Sequence, residues 1–491
     1  MANRPSEWLV LRPPHSDPPT PWPKEIASWS DIEPLERRLR FDAGTPIVLN
    51  PEGLCDPVFT RFLNSGSFRS LARGSQDSYL IDYRLYFTFL WTRDTDWRDA
   101  TADDIDDYEH WRRRDADNPG KISGGRWNRG LAAITRLYDW AIGRGEISSS
   151  PVLKRRIIGY RGFEIDVPVA RSTDYRPSDV KWMTPRAYRL WRDVGLRGYD
   201  NAGLIRTAWQ GRCDGRDVAF ADLLSESGLR RREAGAQLTI EIPTAQPGQN
   251  YPHGWVATAI AKRSRRYYWV SRKALSEIAS YCETTRAEAV QSAQRFRRYD
   301  GILDKKVVIV SPDKKTLYWC DDLGREFRMS VDLIDAEQRR LLYVNTARGL
   351  EPLALWLTEA GLPMHYTTWN NTFRKANERC KAAGIELWCT PKMLRHSFAL
   401  RMLIQIQYAF SRSLDLSAKE RDTLRELYGD AWALVKDLLG HRSVELTKSI
   451  YLEPVRGLSL ELMFVDEDPE DASDLIVRVA HDMGLVLDIA L

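Results

Sequence analysis

Apolar positions recur at helical spacing through the first third of the chain. Tyr79, Tyr83, Tyr86, Phe87 and Leu90 fall three and four residues apart, which predicts one buried helix face, with Ser75 or Asp77 as its cap. Thr101-Ala-Asp-Asp-Ile predicts a second helix start, with Thr101 as cap and Asp104 in the capping-box position. Trp127, Leu131, Ile134, Tyr138 and Ala141 mark a third helix, closed by Gly143-Arg-Gly145, and Pro151 stops any continuation. Residues 55–152 therefore read as a compact module of about four helices.

The pattern changes on either side of that module. Residues 1–54 carry Pro13, Pro14, Pro18, Pro19, Pro21 and Pro23 and read as an extended or loosely packed arm. Residues 153–180 read as a proline-punctuated linker. The segment 181–460 mixes helical stretches with short β-like runs, so a mainly α fold with small β-sheets is expected. Leu238-Thr-Ile-Glu-Ile is one such run. Val256 to Ile260 and Tyr267 to Val270 flank Ala261-Lys-Arg-Ser-Arg-Arg266 and predict a hairpin with a basic tip. Lys306 to Ser311, Thr316 to Trp319 and Glu326 to Met329 predict an inserted small sheet, and from Trp369 onward the spacing is helical. Residues 461–491 hold an acidic block (Val465 to Asp474), and Leu475 to Leu491 reads as an amphipathic helix, packed on its own domain or on a neighbouring copy.

At 491 residues the chain is too long for one ordinary core, so two or more domains are expected. No apolar run is long enough to span a membrane, and the N-terminus lacks a signal-peptide pattern. The cysteines (Cys55, Cys213, Cys282, Cys320, Cys380, Cys389) never form a C-x-x-C pair. That argues against a zinc ribbon or disulfide framework and for a reducing, cytoplasmic setting. A net charge of +4 says little, but its distribution says more. Ile260 to Lys273 holds Lys262, Arg263, Arg265, Arg266, Arg272 and Lys273 with no acid, and Tyr267, Tyr268 and Trp269 stand between them.

Four segments bear on chemistry: Ser227-Gly-Leu-Arg-Arg-Arg-Glu233, Thr390-Pro-Lys-Met-Leu-Arg-His396, Leu438-Leu-Gly-His-Arg442 and Ile450-Tyr451. Their order and content resemble the tyrosine recombinase (phage integrase) family, over roughly residues 70–280 and 365–455. The resemblance implies a helical, SAM-like core-binding domain and a mixed α/β catalytic domain that together form a C-shaped clamp around DNA. It implies Arg230 as the first catalytic arginine, with Glu233 beside it, and Arg395 as the second. His441 falls at the later histidine and Tyr451 at the nucleophile. Lys262 is the hairpin lysine, although Arg263, Arg265 or Arg266 could hold the phosphate while Lys262 touches the neighbouring backbone. Lys392 stands where the family has histidine and is counted with the catalytic residues, as a donor to phosphate though a poor general base. His396 is implied to be a structural core residue. The interval from His441 to Tyr451 is ten residues, one more than the family's commonest spacing. The separation of Arg395 from His441 is about twice the usual one, with insertions placed near 284–340 and 405–430.

The residue types suit that chemistry. Attack on a phosphodiester builds negative charge on its non-bridging oxygens, which two permanently charged, planar guanidinium forks such as Arg230 and Arg395 can hold. A tyrosine has a pKa near 10, so Tyr451 needs nearby cations or a base. A lysine on a hairpin can protonate the leaving oxygen. Arg126, Arg129 and Arg136 on the third helix, with Arg263, Arg265 and Arg266 at the tip, are candidate contacts to phosphates of double-stranded DNA. The expected assembly is a homo-oligomer, four protomers on two recombination sites, with accessory recombination proteins as further partners and a nucleoid-associated location. Neither metal nor cofactor is expected. Two other readings stay open: a type IB topoisomerase, and a DNA-binding protein of this fold that has lost activity. A metal-dependent transposase would need clustered carboxylates, whereas Asp103, Asp104, Asp106 and Asp107 sit at a helix start and suit a solvated cap.

Overall fold

The computed structural model describes residues 7–11, 45–158, 163–174, 180–200, 203–207, 209, 211–247, 251–262, 265–321, 323–412, 431–441, 443–448 and 450–451. The chain divides into two compact units, Met1–Arg176 and Pro177–Leu491. Pro13, Pro14, Pro18, Pro19, Pro21 and Pro23 of the N-terminal segment, Arg263, residues 413–430 of the expected second insertion and all of 461–491 lie outside the described residues.

The first unit is built on aromatic packing. Among its described residues the helices are Pro57–Leu63, Gly66–Arg69, Arg73–Trp91, Ala102–Arg113 and Gly124–Gly143. The stripe read from spacing is the buried one: Tyr83, Tyr86, Phe87 and Leu90 meet Trp127, Leu131, Ile134 and Tyr138. The phenols that this buries find partners, as buried hydroxyls must. Tyr86 and Tyr138 hydroxyls lie 2.9 Å apart, and Tyr138 donates to the Trp97 carbonyl at 2.7 Å. The Asp104 carboxylate accepts from the Thr101 N–H at 2.8 Å, as the capping-box spacing predicts. The cap expected at Ser75 or Asp77 is corrected. The Ser75 N–H already bonds the Ala72 carbonyl at 2.8 Å, so the helix starts a turn earlier, at Arg73, with no side-chain cap. In the segment read as an arm, Leu9–Leu11 pairs antiparallel with Ile47–Leu49, and Trp8 packs into the helical core against Phe87. The segment read as a linker contains an exposed hairpin, Lys154–Ile158 with Glu164–Pro168.

The second unit centres on helices Asp214–Ser227, Trp369–Ala382 and Pro391–Arg412, packed around Trp191, Phe220, Trp356 and Trp369. A basic hairpin is present, but its first strand is His253–Val256, paired with Arg266–Trp269. The stretch after Val256 read as strand is a turn, with the Ile260 N–H bonded to the Ala257 carbonyl. The predicted inserted strands form a sheet of Ile309–Val310, Thr316–Cys320 and Glu326–Ser330. Beside it lies a second sheet that joins Lys306–Val307 to Leu342–Thr346 and Gly349–Pro352. The fold is thus helical with small sheets. No described helix is long and apolar enough to cross a membrane. A second strand expectation fails: Thr239–Glu241 is a single 3-10 turn. Glu241 folds back to accept from the Leu238 N–H at 2.9 Å and meets Arg339 in a buried ion pair at 2.5 Å. Arg339 also donates to the Val331, Ile334 and Ala236 carbonyls, so one guanidinium ties the inserted sheet to the central core.

Removing one partner of such a pair leaves the other charged and desolvated. Arg339→Ala is expected to destabilise the protein by roughly 3–5 kcal/mol, read as a lowered urea midpoint. An unchanged midpoint would show that this tie does not matter.

Candidate active site

The site begins at the end of helix Asp214–Ser227. Gly228 closes that helix in the left-handed conformation, with φ of 62°. A Cβ there would sit 2.3 Å from Phe398 on helix Pro391–Arg412, so only glycine allows this approach. The turn places Arg230 at the start of the short helix Arg231–Gly235. There its N–H donates to Glu233 at 2.7 Å and its guanidinium at 2.8 Å.

Glu233 is the anion of the cluster and is only 1% exposed. Arg266, from the hairpin, binds both its oxygens at 2.6 and 3.0 Å. Burial alone would raise the carboxyl's pKa, but Arg266, Arg230 and Arg395 hold it down at about 2. Arg395 is buried among these cations. Its pKa falls to about 9 through burial first and then Arg230, which still leaves it charged near neutral pH.

The same guanidiniums reach the C-terminal end of helix Ala431–Leu439. Arg266 donates to the Leu438 carbonyl at 3.4 Å, Arg395 to Leu439, and Arg230 to Gly440 at 3.4 Å. Arg395 also donates to the Gly228 carbonyl. Helix ends leave carbonyls without intrahelical partners and carry partial negative charge, so cations are stabilised there. Gly440 (φ 60°) completes a Schellman turn: its N–H bonds the Asp437 carbonyl at 3.0 Å and the His441 N–H bonds Lys436 at 2.9 Å. A Cβ on Gly440 would meet Arg266 Cδ at 2.7 Å.

His441 and Tyr451 follow from that turn. The imidazole is 3.0 Å from the Thr447 hydroxyl and lies parallel to the Tyr451 ring, with centroids 6.3 Å apart and planes at 6°. Tyr451 is wholly buried. Burial pushes its pKa well above the usual value, although Arg395 and Arg230 pull it down, so the phenol is protonated. Its hydroxyl lies 2.7 Å from His396 Nδ1. Burial, then Lys392 and Arg395, lowers His396 to about 3. Burial, then Arg395 and Arg230, does the same to His441. Both rings are neutral near pH 7, and the tautomer of His396 sets which way its hydrogen bond with the Tyr451 hydroxyl runs.

Arg230, Arg395, His441 and Tyr451 are therefore brought together, whereas other candidates stand apart. Lys392 is exposed, one turn before His396 on the same helix. Lys262 is exposed near the hairpin turn, and Arg265 lies over the Trp255 ring at 4.6 Å. Arg266, expected at the tip, instead points inward to Glu233. In the other unit, Arg126 and Arg129 pair with the buried Asp82 at 3.4 and 3.2 Å, and Arg136 donates to the Ser67 carbonyl at 2.7 Å. The contact missed from the sequence is His396 with Tyr451. Its only sequence signal was an imidazole beside Arg395, which reads equally as packing. Among the described residues, no group of three or more His, Cys, Asp or Glu is arranged to hold a metal.

No protein-family model and no curated protein matches this chain. Among solved structures it is similar to the XerH site-specific recombinase bound to palindromic difH substrate in a post-cleavage complex. That match has 12% identity, covers 83% of this chain and 85% of that one, and has a TM-score of 0.41. XerH in its pre-cleavage complex with difH matches at 11% identity, over 91% and 99% of the two chains, with a TM-score of 0.41. The Tn1549 transposon integrase in complex with circular intermediate DNA matches at 12% identity, over 87% and 92%, with a TM-score of 0.31. Scores this low leave the functional reading to the chain's own geometry.

The histidine shifts make stability depend on pH. Their folded values lie below the ordinary 6.5, so this stability is fully present above pH 6.5 and is lost as pH falls towards 3. Buried His396 contributes at most about 1.4 kcal/mol per pH unit. Half-buried His441 adds less, in the same direction. His396→Asn is expected to flatten the fall of the urea midpoint between pH 6.5 and about pH 5. An unchanged slope would show that His396 titrates normally.

Proposed function

We propose that this protein is a site-specific DNA recombinase or integrase of the tyrosine type, which cuts and rejoins duplex DNA through a 3′-phosphotyrosine on Tyr451. One observation carries the reading. A buried phenol, two neutral imidazoles and the two arginines of the sequence motifs meet in one cluster drawn from distant stretches of chain. Arg230, Arg266 and Arg395 against the single carboxylate of Glu233 leave a net positive site, suited to one phosphodiester.

In this reading Arg230 and Arg395 exchange backbone carbonyls for phosphate oxygens and stabilise the charge that grows there. The Tyr451 oxygen bonds to phosphorus as the bond to the 5′ oxygen breaks. The phenolic proton passes to His396, and the departing oxygen takes a proton from a cation of the hairpin, with Lys262 as the candidate. The bound phosphate offsets part of the positive field that depresses His396 and so raises its basicity. Attack by a 5′ hydroxyl of another strand reverses each step and regenerates the phenol. Four protomers on two duplexes would complete the exchange. The inserted segments and the proline-rich N-terminal stretch favour an enzyme carried by a mobile element.

A second reading is a DNA-binding protein of this architecture that does not cut. The full burial of Tyr451 and the exposed Lys392 at the family's histidine position favour it.

Incubation with a pool of nicked duplexes, without added metal, separates the two. The expected result is a covalent protein–DNA adduct that Tyr451→Phe abolishes and that Arg230→Ala or Arg395→Ala slows by roughly a hundred- to a thousandfold. An adduct that persists in Tyr451→Phe places the nucleophile elsewhere. Binding with no adduct on any DNA favours the second reading, and products that join two duplexes distinguish recombination from simple relaxation.

A further inference from the structure

The strand that carries Arg266 inward to Glu233 turns a different set of side chains to solvent. Successive residues of a strand face opposite sides. His253 stands opposite Trp269 and Trp255 opposite Tyr267, so these four rings share one face, while Val256 and Tyr268 are buried on the other. On the outer face Tyr267 is 54% and Trp269 42% exposed. His253 meets Tyr267 edge-on at 5.5 Å and Trp269 at 6.3 Å, and Tyr267 and Trp269 are 6.5 Å apart. The guanidinium of Arg265 covers Trp255. From Tyr251 to Lys273 there is no acidic residue, and Lys262 and Arg265 flank the face.

We infer that this face is a stacking platform for unpaired bases of the DNA strand whose phosphate enters the Arg230–Arg395 cluster. The inference rests on the functional reading above for which phosphate that is. The occupant follows from chemistry. The face is aromatic rather than aliphatic, and its own hairpin carries cations and no acid. The described carboxylate against the connection is Asp332, which is bound to Thr258. Flat rings with adjacent positive charge bind single-stranded nucleic acid by base stacking and backbone attraction, with little regard to sequence. Arg266 and Tyr267 are neighbours on one strand that point to opposite sides, so the platform and the phosphate cluster lie on the two faces of one hairpin. Bases held there cannot re-pair while the cut strand awaits its new partner.

The test measures binding of the full chain to three labelled DNAs: an oligothymidylate of about twelve nucleotides, a duplex with a short bulge, and the same duplex fully paired. Tyr267→Ala and Trp269→Ala are expected to weaken the first two by roughly tenfold each and leave the paired duplex unchanged. Tyr267→Leu and Trp269→Leu keep apolar bulk without a π-face and should show the same loss, which excludes a mere folding defect. Equal losses on paired DNA would overturn the proposal, as would no loss on any DNA, which would leave the face to a protein partner. Failure of the wild-type chain to bind oligothymidylate would also overturn it. Adduct formation by Tyr451 is scored separately. Base stacking without an adduct would sink the recombinase reading alone, and an adduct without base stacking would sink the platform alone.

Discussion

The candidate site depends on keeping one carboxylate ionised away from water. Glu233 is almost fully buried, and an isolated carboxylate in that position would take up a proton. Arg266 and Arg230 prevent this, and by binding the same two oxygens they fix each other's position. The hairpin, the turn after Gly228 and the end of helix Ala431–Leu439 are thereby held to a single point. A cluster of like charges would otherwise fly apart. Here one central anion and a ring of peptide carbonyls make three arginines compatible at close range.

That arrangement explains why the Tyr451 phenol keeps its proton although cations lie close by. Tyr451 lies against His441 and within hydrogen-bond distance of His396, yet burial keeps its proton on. The histidines are neutral for the same reason that Arg395 is depressed: each is buried away from water first of all, and then lies within the field of the other cations. An incoming anion changes all these groups at once, because every one of them answers to the same local potential.

Much of the fold could be read from spacing, and the reasons for the exceptions are physical. Helix Gly124–Gly143 and the Thr101 start were legible because their signals are local: a 3.6-residue period and a cap three residues from its partner. Leu238-Thr-Ile-Glu-Ile was misread as a strand because its conformation is set by Arg339, about a hundred residues away. Arg266 looked like part of an exposed basic tip, since nothing nearby in sequence discloses that Glu233 awaits it. The ordered motifs named Arg230, Arg395, His441 and Tyr451, and the structure brings these four together. What the sequence could not give was which nitrogen faces the phenol: Lys392 and His396 are one turn apart on one helix, and only the packing of that helix separates an exposed ammonium from a buried imidazole.

The carbonyl contacts of the arginines also bear on how the chain reaches its final state. Arg395 bonds across 167 residues to Gly228, Arg266 across 172 to Leu438, and Arg230 across 210 to Gly440. Closing loops of that length sacrifices chain entropy before any contact rewards it, so such contacts form late. A chain still being synthesised therefore carries its guanidiniums long before it carries the helix end that aligns them. Tyr451 is the last member of the cluster to be made, so the cluster is assembled only as this unit's core is completed.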